Sequence, residues 1–98
     1  MSISLRPVVL MNQSAAGTSP AVALDYRFGA GQQRNIGVQK NTADTVVLEV
    51  SVDGTNFQNI TTFGAGVTNT VYTLLGPWLS MRVTKVGAAG NALVQGVV

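Results

Sequence analysis

The stretch Thr45 to Ile60, TVVLEVSVDGTNFQNI, decides the fold class. Val46, Leu48, Val50 and Val52 alternate with Thr45, Val47, Glu49 and Ser51, which is the two-residue period of a strand. Asp53-Gly54 follows as a hairpin signal, because glycine accepts the positive φ that tight hairpin turns require. Phe57, Asn59 and Thr61 take up the alternation on the return strand. One hairpin of this kind makes the chain a β protein.

Outward from the hairpin, turn signals recur about every ten residues, the spacing of a sandwich or barrel. A first strand is expected over Ile3 to Met11, with Pro7 inside it. Proline cannot donate to a ladder, so that strand belongs at a sheet edge or carries a bulge. After a Gln13 to Pro20 loop, Ala21 to Phe28 alternates cleanly, with Val22, Leu24, Tyr26 and Phe28 inward and Asp25 and Arg27 outward. Short strands follow at Ile36–Lys40, Val67–Leu75, Trp78–Val86 and Asn91–Val98, with turns at Asn41–Asp44, Phe63–Gly66, Gly76-Pro77 and Gly87–Gly90. No useful helical period occurs. The expectation is one domain over residues 1–98: a single antiparallel β-sandwich of seven to eight strands, jelly-roll or immunoglobulin-like, with residues 1–13 as an edge strand or arm.

A domain of 98 residues buries only about 60–65% of its unfolded surface. The chain has no Cys and no His, so disulfides cannot help, and a structural zinc site lacks its usual ligands. Assembly with copies of itself or with a larger partner is the remaining aid. Charged residues make up 10% of the chain, against roughly a quarter in ordinary soluble domains. Such a surface loses little on burial in an interface. Several strands are also apolar on both faces: Val8 and Leu10 oppose Ile3, Leu5, Val9 and Met11, and Leu93 and Val97 oppose Ala92, Val94 and Val98. An exposed sheet would show one apolar face only, so the first and last strands are expected to be covered by neighbouring subunits.

The six basic residues, Arg6, Arg27, Arg34, Lys40, Arg82 and Lys85, are scattered, unlike the clustered footprint of a nucleic-acid binder. The apolar run Pro7 to Met11 is shorter than a signal peptide needs, and no run reaches the length of a membrane helix. Neither a leader nor a membrane span is therefore expected.

Chemistry is sparse. Without His or Cys there is no ordinary nucleophile–base pair. The acids Asp25, Asp44, Glu49 and Asp53 read as solvated surface groups, since Asp44 and Asp53 sit at opposite ends of one strand with Glu49 midway. Asp53-Gly54-Thr55-Asn56 lacks the further oxygen ligands of a calcium loop, and turn chemistry explains it. Neither an enzyme nor a cofactor site is expected. Phe57, Tyr72 and Trp78 could stack against sugars, although packing at a core or edge is the stronger reading of such rings. Arg82, in register with Trp78 and Thr84, could stack on the indole or reach a partner's carboxylate.

The pattern LEVSVDGTNF, followed by VYTL, GPW and MRVTKVGAAGNALVQGVV, resembles small β-sandwich proteins of tailed-bacteriophage virions. In that group a V-SxDG-x-[FW] hairpin precedes a strand ending in an aromatic, then a hydrophobic-R-V strand and a Gly-rich turn. The resemblance covers roughly residues 45 to 98. Discoidin-like and fibronectin-like binding modules share the SxDGxxW hairpin, where this chain carries Phe57. The resemblance implies a head decoration (cement) protein or a tail or fibre component, located in the virion and without an active site. It further implies a homo-oligomer, commonly a trimer, docked on the major capsid protein. Carried onto this chain, it makes Ser2 to Gln13 the clamp. The interface is then expected at Ile3, Leu5, Arg6, Val8, Leu10, Trp78 and Arg82, the N-terminal segment being dispensable for folding. The alternative is a carbohydrate-binding module using the three aromatics.

Overall fold

A computed structural model describes residues 7–24 and 33–97. Nine strands and no helix occur among them: β1 (Pro7–Gln13), β2 (Gly17–Thr18), β3 (Val22–Ala23), β4 (Arg34–Gln39), β5 (Thr45–Ser51), β6 (Gln58–Phe63), β7 (Asn69–Leu74), β8 (Ser80–Val86) and β9 (Ala92–Val97). The count exceeds the expected seven to eight because Gly17–Thr18, within the stretch Gln13 to Pro20 expected as a loop, pairs with β8 as a strand of its own. Two residues pair as β2 and two as β3, both antiparallel to β8, with Pro20 between them. Tyr26 and Phe28 lie outside the described residues.

The strands form two antiparallel sheets, one in the order β1-β9-β4-β7 and the other β2-β8-β5-β6, with β3 also on β8. The arrangement is all-β and consistent with a β-sandwich. Its pairing is nested: β5 pairs β6, β4 pairs β7, β2 and β3 pair β8, and β1 pairs β9. Successive pairs of this ribbon alternate between the two sheets.

One core lies between the sheets. Leu10, Met11, Ile36, Val38, Leu74, Ala92 and Val94 come from one sheet, and Val46, Leu48, Val50, Phe63, Met81 and Val83 from the other. Each fully buried aliphatic side chain contributes about 1.5–3 kcal/mol. Gly96 marks a close approach, since a Cβ there would meet Met81 Cε at 3.2 Å and Ile36 Cγ1 at 3.4 Å.

Pro7 begins an edge strand, as a residue without an N–H must, and the same strand also carries a bulge. The register shifts between Val9 and Met11, leaving Leu10 as the extra residue. Leu10 and Met11 consequently both point into the core, which is why alternation fails there. Removing Pro7 to Gln13 would take away both these side chains and the β9 ladder, so the segment to Gln13 is not a dispensable arm.

The hairpin differs from the expected tight turn. The β5–β6 ladder closes at Val50 and Gln58, and a register shift between Leu48 and Glu49 makes Ile60 the extra residue. The loop between them is organised by side chains. Asp53 Oδ1 accepts from the Thr55 and Asn56 N–H groups and from the Ser51 hydroxyl, while Ser51 Oγ accepts from Gly54 N. These bonds, those from the Asn56 N–H foremost, hold the Asp53 carboxyl well below the usual carboxylate range. Ser51 is drawn inward to make them, and Val52, on the expected apolar register, is left 61% exposed.

A charged node closes one end of the molecule. Asp44 and Lys85 are 2% and 1% exposed, so Asp44 is not the solvated acid that the sequence suggests. Lys85 Nζ donates to Asp44 Oδ2 at 2.8 Å, to the Ser14 carbonyl at 2.8 Å and to the Gly87 carbonyl at 2.7 Å. All three ammonium protons are used. The carboxylate also accepts from Asn41 Nδ2, Ala89 N and Gly90 N. Lys85, then Asn41 and the backbone donors, hold the Asp44 carboxyl far below its usual range. Gly87 has φ +97°, and a Cβ there would stand 2.5 Å from Asp44 Oδ1, so the turn admits only glycine.

Lys85→Met removes the ammonium and strands a buried carboxylate. It is expected to cost about 3–5 kcal/mol, measured by chemical denaturation at neutral pH. Acid gives a second check. An aspartate with a lowered folded pKa binds fewer protons folded than unfolded, so its stabilisation is complete above the unfolded value of about 3.9. It is lost as pH falls through the folded value. Wild-type stability is expected to drop below about pH 4, and Asp44→Asn, less stable at neutral pH, should show a shallower drop.

Candidate functional site

Strand alternation on the four-stranded sheet places one set of residues outward. They are Pro7, Val9 and Asn12 on β1, Leu93, Gln95 and Val97 on β9, Asn35, Gly37 and Gln39 on β4, and Asn69, Val71 and Thr73 on β7. None carries a charge. The register aligns Val9, Gln95, Gly37 and Val71 in one row across all four strands.

Gly37 lacks a side chain in the middle of that row, and the gap is a trough of about 380 Å³. Gln39, Asn69, Val71, Leu93 and Gln95 line it together with Gly37. Val71 is 68% exposed at one side, and Val9 is 51% exposed at the far end of the row. Three amides and two aliphatic groups make a surface that can exchange neutral hydrogen bonds and bury apolar area without desolvating a charge.

The outer face of the second sheet is different. Thr84 Oγ1 lies 2.9 Å from Thr18 Oγ1 and donates to Glu49 Oε1, which lies 3.4 Å from Arg82 Nε. The Arg82 guanidinium sits 4.1 Å over the Phe57 ring. This face is a connected network whose charged groups already have partners. The contrast marks the trough face as the candidate interaction surface.

Of the expected interface residues, Ile3, Leu5 and Arg6 lie outside the described residues. Val8 is half-buried and packs against the core. Leu10 is a core residue, 4% exposed, and so cannot present an outer contact. Trp78 is half-buried against the core, with its indole N–H on the Leu75 carbonyl at 2.9 Å. Arg82 stacks on Phe57 rather than on Trp78, because the β5–β8 register sets it beside Glu49 on the outer face. The four described residues do not share one surface. Tyr72 faces inward, edge-on to Phe63 at 6.4 Å between ring centroids, so the three aromatics form no common platform.

The trough residues were not singled out by sequence. Their signal is the absence of charge at alternate positions of β1, β4, β7 and β9, and it becomes readable only once the strand order is known. The comparisons with protein families, curated proteins and solved structures return no match for this chain.

Because a Cβ on Gly37 would meet only the Gln95 carbonyl at 4.0 Å, the backbone there has room for a side chain, and Gly37→Val projects into the trough. Its thermal midpoint is expected at or above wild type, a gain of up to about 1 kcal/mol. A lowered midpoint would mean that the glycine serves the fold rather than the surface.

Proposed function

We propose that the chain is a structural protein of a tailed-phage virion, and within that class a decoration protein that binds the outside of the head. One observation carries the reading: an outer sheet face without a charge among the described residues, centred on the trough at Gly37. The nested strand pairing supports it. We read β1 to β9 as a jelly roll, counting β2 and β3 as one strand, and that architecture is common among capsid and lectin domains. The mechanism is burial of neutral polar and apolar surface across capsomer joints, multiplied by avidity when an oligomer engages several sites.

The amides around the trough also suit sugar hydroxyls, which keeps a carbohydrate-binding module as the second reading. A tail or fibre position is a variant of the first.

The deciding experiment is co-sedimentation with phage heads assembled from the major capsid protein and lacking the decoration protein. Saturable binding is expected, and Gly37→Val and Gln95→Lys should each weaken it at least about tenfold, 1.4 kcal/mol or more. Absence of binding to heads, with glycan-dependent protection of the trough amides, would favour the carbohydrate reading instead.

A further inference from the structure

We infer that the free edge of β7 accepts the segment Ser2 to Arg6 of a second copy of this chain as an added strand. β7 pairs β4 on one side, and among the described residues nothing pairs its other side. Natural edges are usually blunted by proline, charge, bulges or short length. β1 has Pro7 and a bulge, β6 has a bulge, and β2 and β3 are two residues each. β7, NTVYTL, has none of these, and its register with β4 runs without a shift.

The hydrogen-bond phase follows from one contact. Lys40 N donates to the Thr68 carbonyl at 2.8 Å, in line with the Gln39–Asn69 register. Bonded pairs alternate in an antiparallel ladder, so Thr70, Tyr72 and Leu74 bond β4. Asn69, Val71 and Thr73 therefore turn their N–H and C=O groups to the free side. On that strand, Tyr72 is only half-buried against the core.

The donor is argued from its pattern and its reach. Ser2-Ile3-Ser4-Leu5 alternates, so an added strand would turn Ile3 and Leu5 to the core side, next to Tyr72, and leave both serines outside. The segment leads into β1, at the opposite edge of the same sheet from β7. Crossing four strands takes about 19 Å, and the segment Ser2 to Arg6, fully extended, spans at most about 18 Å. A segment that crosses its own sheet has no length left to pair along β7. The strand must come from another molecule, which makes the contact head-to-tail and closes a ring when the rotation permits.

The inference does not rest on the virion reading, and its test involves no capsid. Light scattering of the full chain across the micromolar range should show a rise from monomer to a discrete multiple. Val71→Pro removes one free N–H without touching a β4 bond, and Val71→Lys charges the edge. The double variant Ile3→Ser, Leu5→Ser empties the donor. Each is expected to raise the dissociation constant at least about tenfold. Should Val71→Pro fail to fold, Val71→Lys carries the test, because its side chain lies in solvent. A wild-type monomer throughout, or an oligomer unaffected by the Val71 variants, overturns the inference. Loss in the Val71 variants but not in the Ile3/Leu5 variant overturns the assigned donor, making the edge a site for another segment.

Discussion

The rest of the structure depends on the buried pair between Lys85 and Asp44. Taking both charges out of water is costly, and the cost is met only where every proton and lone pair is occupied. Lys85 has three acceptors, from three parts of the chain: Asp44 before β5, Ser14 after β1 and Gly87 after β8. Asp44 adds the β8–β9 turn through Ala89 and Gly90. One ion pair thus fixes how loops from both sheets meet. Lys40, buried beside it, donates to the carbonyls of Asn41 and Asp44 and braces the same turn.

Spending charge inside explains the outside. Of the four basic residues described, Arg34, Lys40 and Lys85 are buried, and Arg82 is engaged with Glu49 and Phe57. Asp53 is held by its own loop. Among the described residues little remains to charge the outer faces, and the four-stranded sheet shows none. A surface of that kind favours stable burial against a partner over electrostatic steering toward one.

Much of the fold was legible because it rests on period and on backbone chemistry. Alternation in β5 and the edge position demanded by Pro7 needed no tertiary knowledge. The bulge at Leu10 was less accessible, since an extra residue in a ladder is visible only against its partner, β9. Asp44 read as solvated because its role depends on Lys85, forty-one positions away and brought near by the β5–β8 ladder. Val52 broke the pattern because Ser51 was recruited by the Asp53 loop. Arg82 found Phe57 instead of Trp78 for the same reason, a register that sequence spacing alone does not set. The trough was hidden because it belongs to strands distant in sequence, with Gly37 between Gln95 and Val71.

The nested pairing also prescribes an order of assembly. Val46 and Phe63 are close in sequence, whereas Pro7 and Val97 stand almost a chain length apart. Joining distant segments first would carry the full loop-closure entropy, and closing the hairpin first shortens every later loop. The least costly route zips outward from β5–β6, through β4–β7 and the β8 ladders, and ends when β1 reaches β9. Topologies dominated by such non-local pairs fold in milliseconds to seconds, roughly, rather than microseconds. During synthesis the whole molecule waits on its last strand. Until β9 emerges, β1 has no ladder, and β4 has only β7 beside it.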